Sequence, residues 1–363
     1  MIRVKCINII PKTGPRNPPA GRGAVGILEE HVQLQFFRLR FHFEAVDPML
    51  FSSGTTANTV RGALGSLLHG IACTPRCGPV QHDAECAYAR IFEPRGKGPS
   101  GFAERPRPFV LRTHHLNSCS VDRGESFFFD LHLFDLTDGV LSYFIQALSR
   151  LAGEGLGAGR KRAKLHSVEQ VSLAGDGRGS VWDGGKLAPM PEPSTVNLTG
   201  DGIPAAAARV RFVTPTELKF QSTPAARPEF AVLFARIRDR VSALSTFYGR
   251  APLDIDFLGM GERAARVEMT RCELHDEHAT RRSSRTGQVH PLGGFTGEAE
   301  YRGDLAEFLP YLRAARWTGV GRQTVWGKGE LHLVEVIRSN RAQEVEIAAN
   351  GIAQVTLPPV ALE

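Results

Sequence analysis

The chain has 363 residues, 42% hydrophobic and 23% charged, a globular balance that argues against disorder or a fibre. No run of about 18 apolar residues could span a bilayer, and the first dozen residues lack a signal-peptide core, so a cytoplasmic protein of two domains is expected. Net charge is +6, carried by 36 Arg against 8 Lys. Arg forks onto phosphates and stacks on bases, so this balance favours a polyanionic partner. Six cysteines in such a chain do not read as a disulfide scaffold.

Residues 1–30, rich in Gly and Pro, read as a flexible N-terminal arm. In the first domain, 31–174, Phe37, Leu39, Phe41 and Phe43 alternate with Arg38, Arg40, His42 and Glu44, the period of a half-buried strand. Val60, Leu64, Leu67, Leu68 and Ile71 mark one face of a helix. A Cys/His insertion follows near 73–86. Two strands are then expected, Pro108–Leu116 and Ser126–Phe134, with His114 and His115 on opposite faces of the first. A second helix runs through Leu141, Phe144, Ile145, Leu148 and Leu151. The glycine loop 153–159 leads into a strand near Lys164–Leu173. Residues 175–208, dense in Gly and Pro, read as a linker.

The second domain, 209–363, repeats the order. A strand near Arg209–Val213 precedes a long helix from Phe230 to Leu244 that ends at Gly249. Strands follow near Arg266–Leu274 and Phe295–Tyr301, and a helix carries Leu305, Phe308, Leu309 and Leu312. The glycine-rich loop 319–329 enters a strand near Glu330–Val336. The expected fold is therefore α+β: two tandem ferredoxin-like (β-α-β-β-α-β) domains, with a Cys-rich insertion in the first.

In each half the glycine loop lies between helix and strand, the reverse of a dinucleotide fingerprint, which needs a strand before it and a helix after it. The neighbours of the loops point elsewhere. Arg160, Lys161 and Arg162 follow the first. The second contains Gly319, Gly321, Arg322, Gly327, Lys328 and Gly329, with Trp317 and Trp326 nearby. Amides bared by glycine, cations and indoles suit an RNA strand. Cys73, Cys77, His82 and Cys86 form C-x3-C-x4-H-x3-C, a thiolate and imidazole set suited to tetrahedral structural zinc. The competing reading is a loop with buried thiols. Cys272, His275 and His278 are less apt, since strand alternation would scatter them.

The stretch GlyGlyPheThrGlyGluAlaGluTyrArgGlyAsp (293–304) and the following TrpThrGlyValGlyArgGlnThrValTrpGlyLysGlyGlu (317–330) resemble the C-terminal signature of the CRISPR-associated endoribonucleases that process precursor CRISPR RNA (crRNA). These belong to the RAMP superfamily of tandem ferredoxin-like proteins. ArgGlyAlaLeuGly (61–65), CysAlaTyrAlaArgIlePheGluPro (86–94), ArgProPheValLeuArg (107–112) and GlyLeuGlyAlaGlyArg (155–160) are similar to the family's larger bacterial members. The resemblance implies metal-independent cleavage of the repeat: the 2′-hydroxyl attacks the adjacent phosphate and leaves a 2′,3′-cyclic phosphate. It implies no cofactor for catalysis, precursor crRNA as partner, and retention of the product in an effector complex with other CRISPR subunits. His69, at the end of the first helix, is the first choice of base; His42, His114 and His115 are further candidates that the sequence does not rank, of which His42 and His115 are kept beside His69. Arg281, Arg282 and Arg285, on a basic hairpin, are the expected stem contacts. Two competing functions share the observations, a non-catalytic RAMP-type crRNA-binding subunit and a zinc-dependent nucleic-acid-binding regulator.

Overall fold

The computed structural model describes residues 4–5, 32–78, 81–83, 85–96, 105–157, 159–221, 223–249, 251–282, 289–338 and 345–347. Residues 6–31, which include most of the expected arm, lie outside the described residues.

Gln33–Ala45 is the central strand of the first sheet. Its Phe37, Leu39, Phe41 and Phe43 are buried as their alternation requires. Ser126–Leu133 pairs antiparallel on one side, with Phe109–Arg112 beyond it, and Ala163–Val171 pairs antiparallel on the other. Helix α1, Thr56–Ala72, and α3, Val140–Ser149, cover the apolar face. A short helix α2, Ala87–Phe92, lies in the Cys-rich insertion, and α4, Leu151–Glu154, continues from α3 into the first glycine loop.

The second sheet has the same order. Ala205–Thr216 lies between Gly294–Arg302 and Leu331–Arg338, with Glu268–Glu277 outside the former. Helices α5, Phe230–Tyr248, and α7, Leu309–Thr318, cover it. Both halves thus show the antiparallel strand order 2-3-1-4 of the ferredoxin-like unit.

The structure departs from the sequence expectations in four places. The strand expected over Pro108–Leu116 stops at Arg112, and His114–Leu116 is a 3-10 turn closed by Leu116 N–H to Thr113 carbonyl. His114 and His115 therefore do not alternate across a sheet. The stretch 175–208 carries Gly177–Trp182, which extends the first sheet beside 163–171, and Ser194–Asn197, which pairs with the start of 33–45. Pairing to exposed strand edges, not residue propensity, made these strands. Helix α6, Phe257–Ala264, contains Gly259 and Gly261 and has no counterpart in the sequence reading; Asp256 caps it through the Gly259 amide at 2.8 Å. Leu305 and Phe308 fall in the turn before α7, not in it.

The two halves are joined at the C-terminal end of α7. The last carbonyls of a helix have no partner within it. Here Arg112 Nη2 donates to the Arg316 carbonyl at 2.7 Å, His132 Nδ1 to that of Trp317 at 2.9 Å, and Arg240 Nε to that of Thr318 at 2.7 Å. Arg112 and His132 come from the first half, so its sheet caps a helix of the second. Burial drives His132 down to about 3, keeping the ring neutral.

Candidate nucleic-acid interface and metal site

Both glycine loops reach the N-terminal turns of α1. A methyl group added at Gly157 would stand 3.1 Å from Thr59 Cγ2, and one added at Gly327 would overlap the Ala57 methyl. Both glycines have left-handed φ, 71° and 80°, a conformation other residues adopt at a cost. Trp326, next to Gly327, lies under the Arg61 guanidinium of α1 at 5.2 Å, and Arg61 also covers the Phe92 ring at 4.5 Å. The two elbows thus converge on one helix, one from each half of the chain.

Beside them runs a cleft between the halves. Gly54 and Ala57 of the α1 end, Thr113, His114 and Asn117 of the 3-10 turn, and Trp326–Lys328 and Glu330 of the second loop all line it. Glu330 is nearly enclosed. Burial would raise its carboxyl, but Arg112 and His332, the latter at 3.0 Å, hold it down at about 2. It is a fixed anion on the cleft wall.

The loop cations divide. The loop sequence predicts RNA binding by Lys328, but this residue is 2% exposed. Its ammonium donates to the Gly293 carbonyl at 2.6 Å, Gln323 Oε1 at 3.0 Å and Glu217 Oε2 at 3.4 Å. An ammonium has three protons, so none is left for a phosphate, and Lys328 is a structural residue. Arg322 bonds Glu217 at 2.6 Å, with its side chain still 45% exposed. Arg162 grips Asp47 through Nε and Nη2, at 2.9 and 3.0 Å. Arg160 has one exposed pairing, to Glu154 at 3.2 Å, and Lys161 is exposed. Arg281 and Arg282 lie on the strand Thr280–Arg282, paired with Val289–Pro291 as the expected hairpin; Arg285 lies outside the described residues.

The expected histidines scatter. His69 is twelve residues beyond Ala57, about 18 Å along the helix axis. Its ring stands edge-on to Tyr88, with centroids 4.9 Å apart, at the Cys-rich end and away from both glycine loops. His42 meets Glu169 at 2.9 Å on the outer face of the first sheet. His115 stacks on Phe128, its Nε2 on the Phe128 carbonyl at 2.9 Å, and desolvation lowers its pKa. Helical and strand periodicity place a residue on a face. They do not say which end of the element meets the other half of the chain.

At the far end of α1 the four ligand candidates come together. The donor atoms of Cys73, Cys77, His82 and Cys86 all lie within 4.8 Å of one another. His82 Nδ1 is 3.5 Å from Cys73 Sγ and 3.6 Å from Cys86 Sγ. Tetrahedral zinc bonds of about 2.3 Å to sulfur and about 2.05 Å to nitrogen give an S···N edge of about 3.6 Å, so the donor set fits that ion. The other ring nitrogen, Nε2, faces Glu93 Oε2 at 3.6 Å, and Tyr88 donates to Glu93 Oε1 at 3.1 Å. A carboxylate behind a histidine directs the opposite nitrogen to a metal. Thr74 pulls the Cys77 thiol down to about 6, towards the thiolate a metal needs, while burial pushes Cys73 up to about 11. Cys272 and His275 lie three residues apart on the strand Glu268–Glu277, an odd spacing that turns them to opposite faces. Among the described residues no other such cluster occurs.

The two sheets, each in the order 2-3-1-4, with their glycine elbows define a tandem ferredoxin-like protein. Residues 210–331 match the family model of the CRISPR-associated endoribonuclease Cas6, and residues 34–194 match a model described as an N-terminal domain. The second half of the chain is thus similar to the Cas6 endoribonucleases. A solved Cas6 product complex is similar at TM-score 0.51 and 17% identity, covering 82% of this chain and 99% of that one. The Thermus thermophilus Cas6 is similar at TM-score 0.46 and 17% identity, covering 83% and 98%. A RAMP protein described as binding different RNA substrates gives TM-score 0.42 at 9% identity, covering 82% and 100%. No curated protein matches. Among the described residues no helix is long and apolar enough to cross a membrane.

Proposed function

We propose that this protein binds the repeat of precursor crRNA along the cleft between its two halves, 31–174 and 209–363, and cuts it without a catalytic metal. The 2′-hydroxyl of one ribose attacks the adjacent phosphate, leaving a 2′,3′-cyclic phosphate and a 5′-hydroxyl, and the product stays bound for handover to other CRISPR effector subunits. The observation that carries this reading is the meeting of both glycine elbows on α1, in a chain whose second half matches the Cas6 endoribonuclease model. The exposed cations Arg160 and Lys161, the accessible edge of Arg322 and the Arg281–Arg282 hairpin supply phosphate contacts. Cys73, Cys77, His82 and Cys86 hold a structural zinc that pins α2 to the end of α1. Chemistry and zinc are separated by the length of that helix, so the ion supplies folding energy and no catalytic step.

The test is incubation of purified protein with repeat-containing RNA in EDTA. A single cut with a cyclic-phosphate end is expected. Tight binding without cleavage would instead identify a crRNA-binding subunit, and loss of all binding on zinc removal, with duplex DNA competing, a zinc-dependent regulator.

A further inference from the structure

The reading above needs a group to take the proton from the attacking 2′-hydroxyl, and the inference drawn here rests on that reading. His42, His69, His82, His115, His132 and His332 are occupied or distant. His42 and His332 each face a carboxylate, at 2.9 and 3.0 Å. His115 is committed to the Phe128 carbonyl, His132 to that of Trp317, and His82 to the Cys cluster, with His69 beside it. Of the described histidines only His114 lines the cleft beside Trp326, Gly327 and Lys328.

Its placement follows from local structure. The strand Phe109–Arg112 is buried along its whole length and stops at the interface, where Arg112 caps α7. The backbone turns at Thr113, and the 3-10 turn is anchored by buried Thr113 and Leu116, leaving His114 exposed at its head. Asn117, at the end of that turn, donates its backbone N–H to the His114 carbonyl, and its side-chain Nδ2 stands 3.4 Å from His114 Nδ1. A half-turn of that side-chain amide, which exchanges its nitrogen and oxygen in place, brings the oxygen to Nδ1–H and fixes the tautomer whose Nε2 carries the lone pair. The opposite wall holds Glu330, an ionised and fixed negative charge that faces the cleft.

We propose that His114 is the general base of RNA cleavage. Nε2 removes the 2′-hydroxyl proton, the 2′-oxygen bonds to phosphorus, the bond from phosphorus to the 5′-oxygen breaks, and the leaving 5′-oxygen takes a proton from water. Asn117 is the positioning residue.

The experiment measures single-turnover cleavage of a synthetic repeat RNA by wild type and His114→Ala. A second RNA carries sulfur in place of the leaving 5′-oxygen, because a thiolate needs no proton to depart. His114→Ala should cut both RNAs at least about 100-fold more slowly than wild type, the usual scale for a missing general base, with affinity and thermal stability unchanged. Added imidazole should restore part of the rate. Unchanged cleavage overturns the assignment. So does a loss confined to the oxygen substrate, which would make His114 the acid, or a loss traced to weaker RNA binding. Failure of wild type itself to cut overturns the endoribonuclease reading instead, so the two failures are told apart.

Discussion

The two glycine loops hold the same topological position in the two halves, and they are built from opposite materials. The second is sunk into the protein: Val325 and Thr324 are buried, Lys328 is enclosed by oxygen ligands, and Gly327 lies against Ala57. The first is open, with Arg160 and Lys161 exposed and Arg162 tied to a surface aspartate. A loop's sequence signature thus does not say whether its cations meet RNA or hold the fold. Burial decides, because an enclosed ammonium must have all its protons satisfied by protein. The second loop fixes how the halves meet, and the first offers charge to a ligand.

Disturbing the buried loop should do the most damage. Gly327→Leu combines a left-handed φ with overlap on Ala57, and a loss of about 3 kcal/mol or more in denaturant unfolding is expected. Gly157→Ala, whose methyl would only crowd Thr59, should cost about half as much; equal losses would erase the contrast. Chelation acts at the other end of the shared helix. Stripping the Cys73–Cys77–His82–Cys86 site should lower the melting temperature clearly, and any protein still folded should cleave at its normal rate. A parallel fall in the rate constant of that folded fraction would join the two ends of α1.

Lys328→Met leaves the Gly293 carbonyl and Glu217 short of a donor and should cost about 2–3 kcal/mol, without changing the salt dependence of RNA binding. The double variant Arg160→Ala, Lys161→Ala should show the reverse: stability within about 0.5 kcal/mol of wild type, and a salt slope shallower by about 0.7 for each phosphate that the variant no longer neutralises. The interface between the halves gives a pH signature. His132 sits near 3 in the fold against an ordinary 6.5, so between those values the unfolded chain holds the extra proton. Its contribution is complete above pH 6.5 and is lost on acidification towards 3, by up to about 1.4 kcal/mol per pH unit. His132→Gln should flatten that part of the stability profile measured by denaturation between pH 7 and 4.5.

The fold was legible wherever a period was. Phe37 to Phe43 alternate because one sheet face is dry, and α1 shows its apolar stripe for the same reason. The Cys/His cluster was legible because its ligands lie within fourteen residues and turn residues bring such a segment together. Strands Gly177–Trp182 and Ser194–Asn197 were not legible, since their composition is that of a loop and only an open sheet edge made them strands. Neither was the role of His114, which the apparent strand 108–116 hid by suggesting an alternation that the turn at Thr113 abolishes.

By itself the sequence determined the repeated β-α-β-β-α-β order, the two elbows and the metal-ligand spacing, because each is a property of neighbours along the chain. Tertiary structure alone decided that both elbows land on α1, that Lys328 faces inward while Arg160 faces outward, and that His114, not His69, borders the cleft. Those outcomes depend on pairs of residues far apart along the chain, such as Gly327 with Ala57 and Arg112 with Arg316, and no local period encodes them.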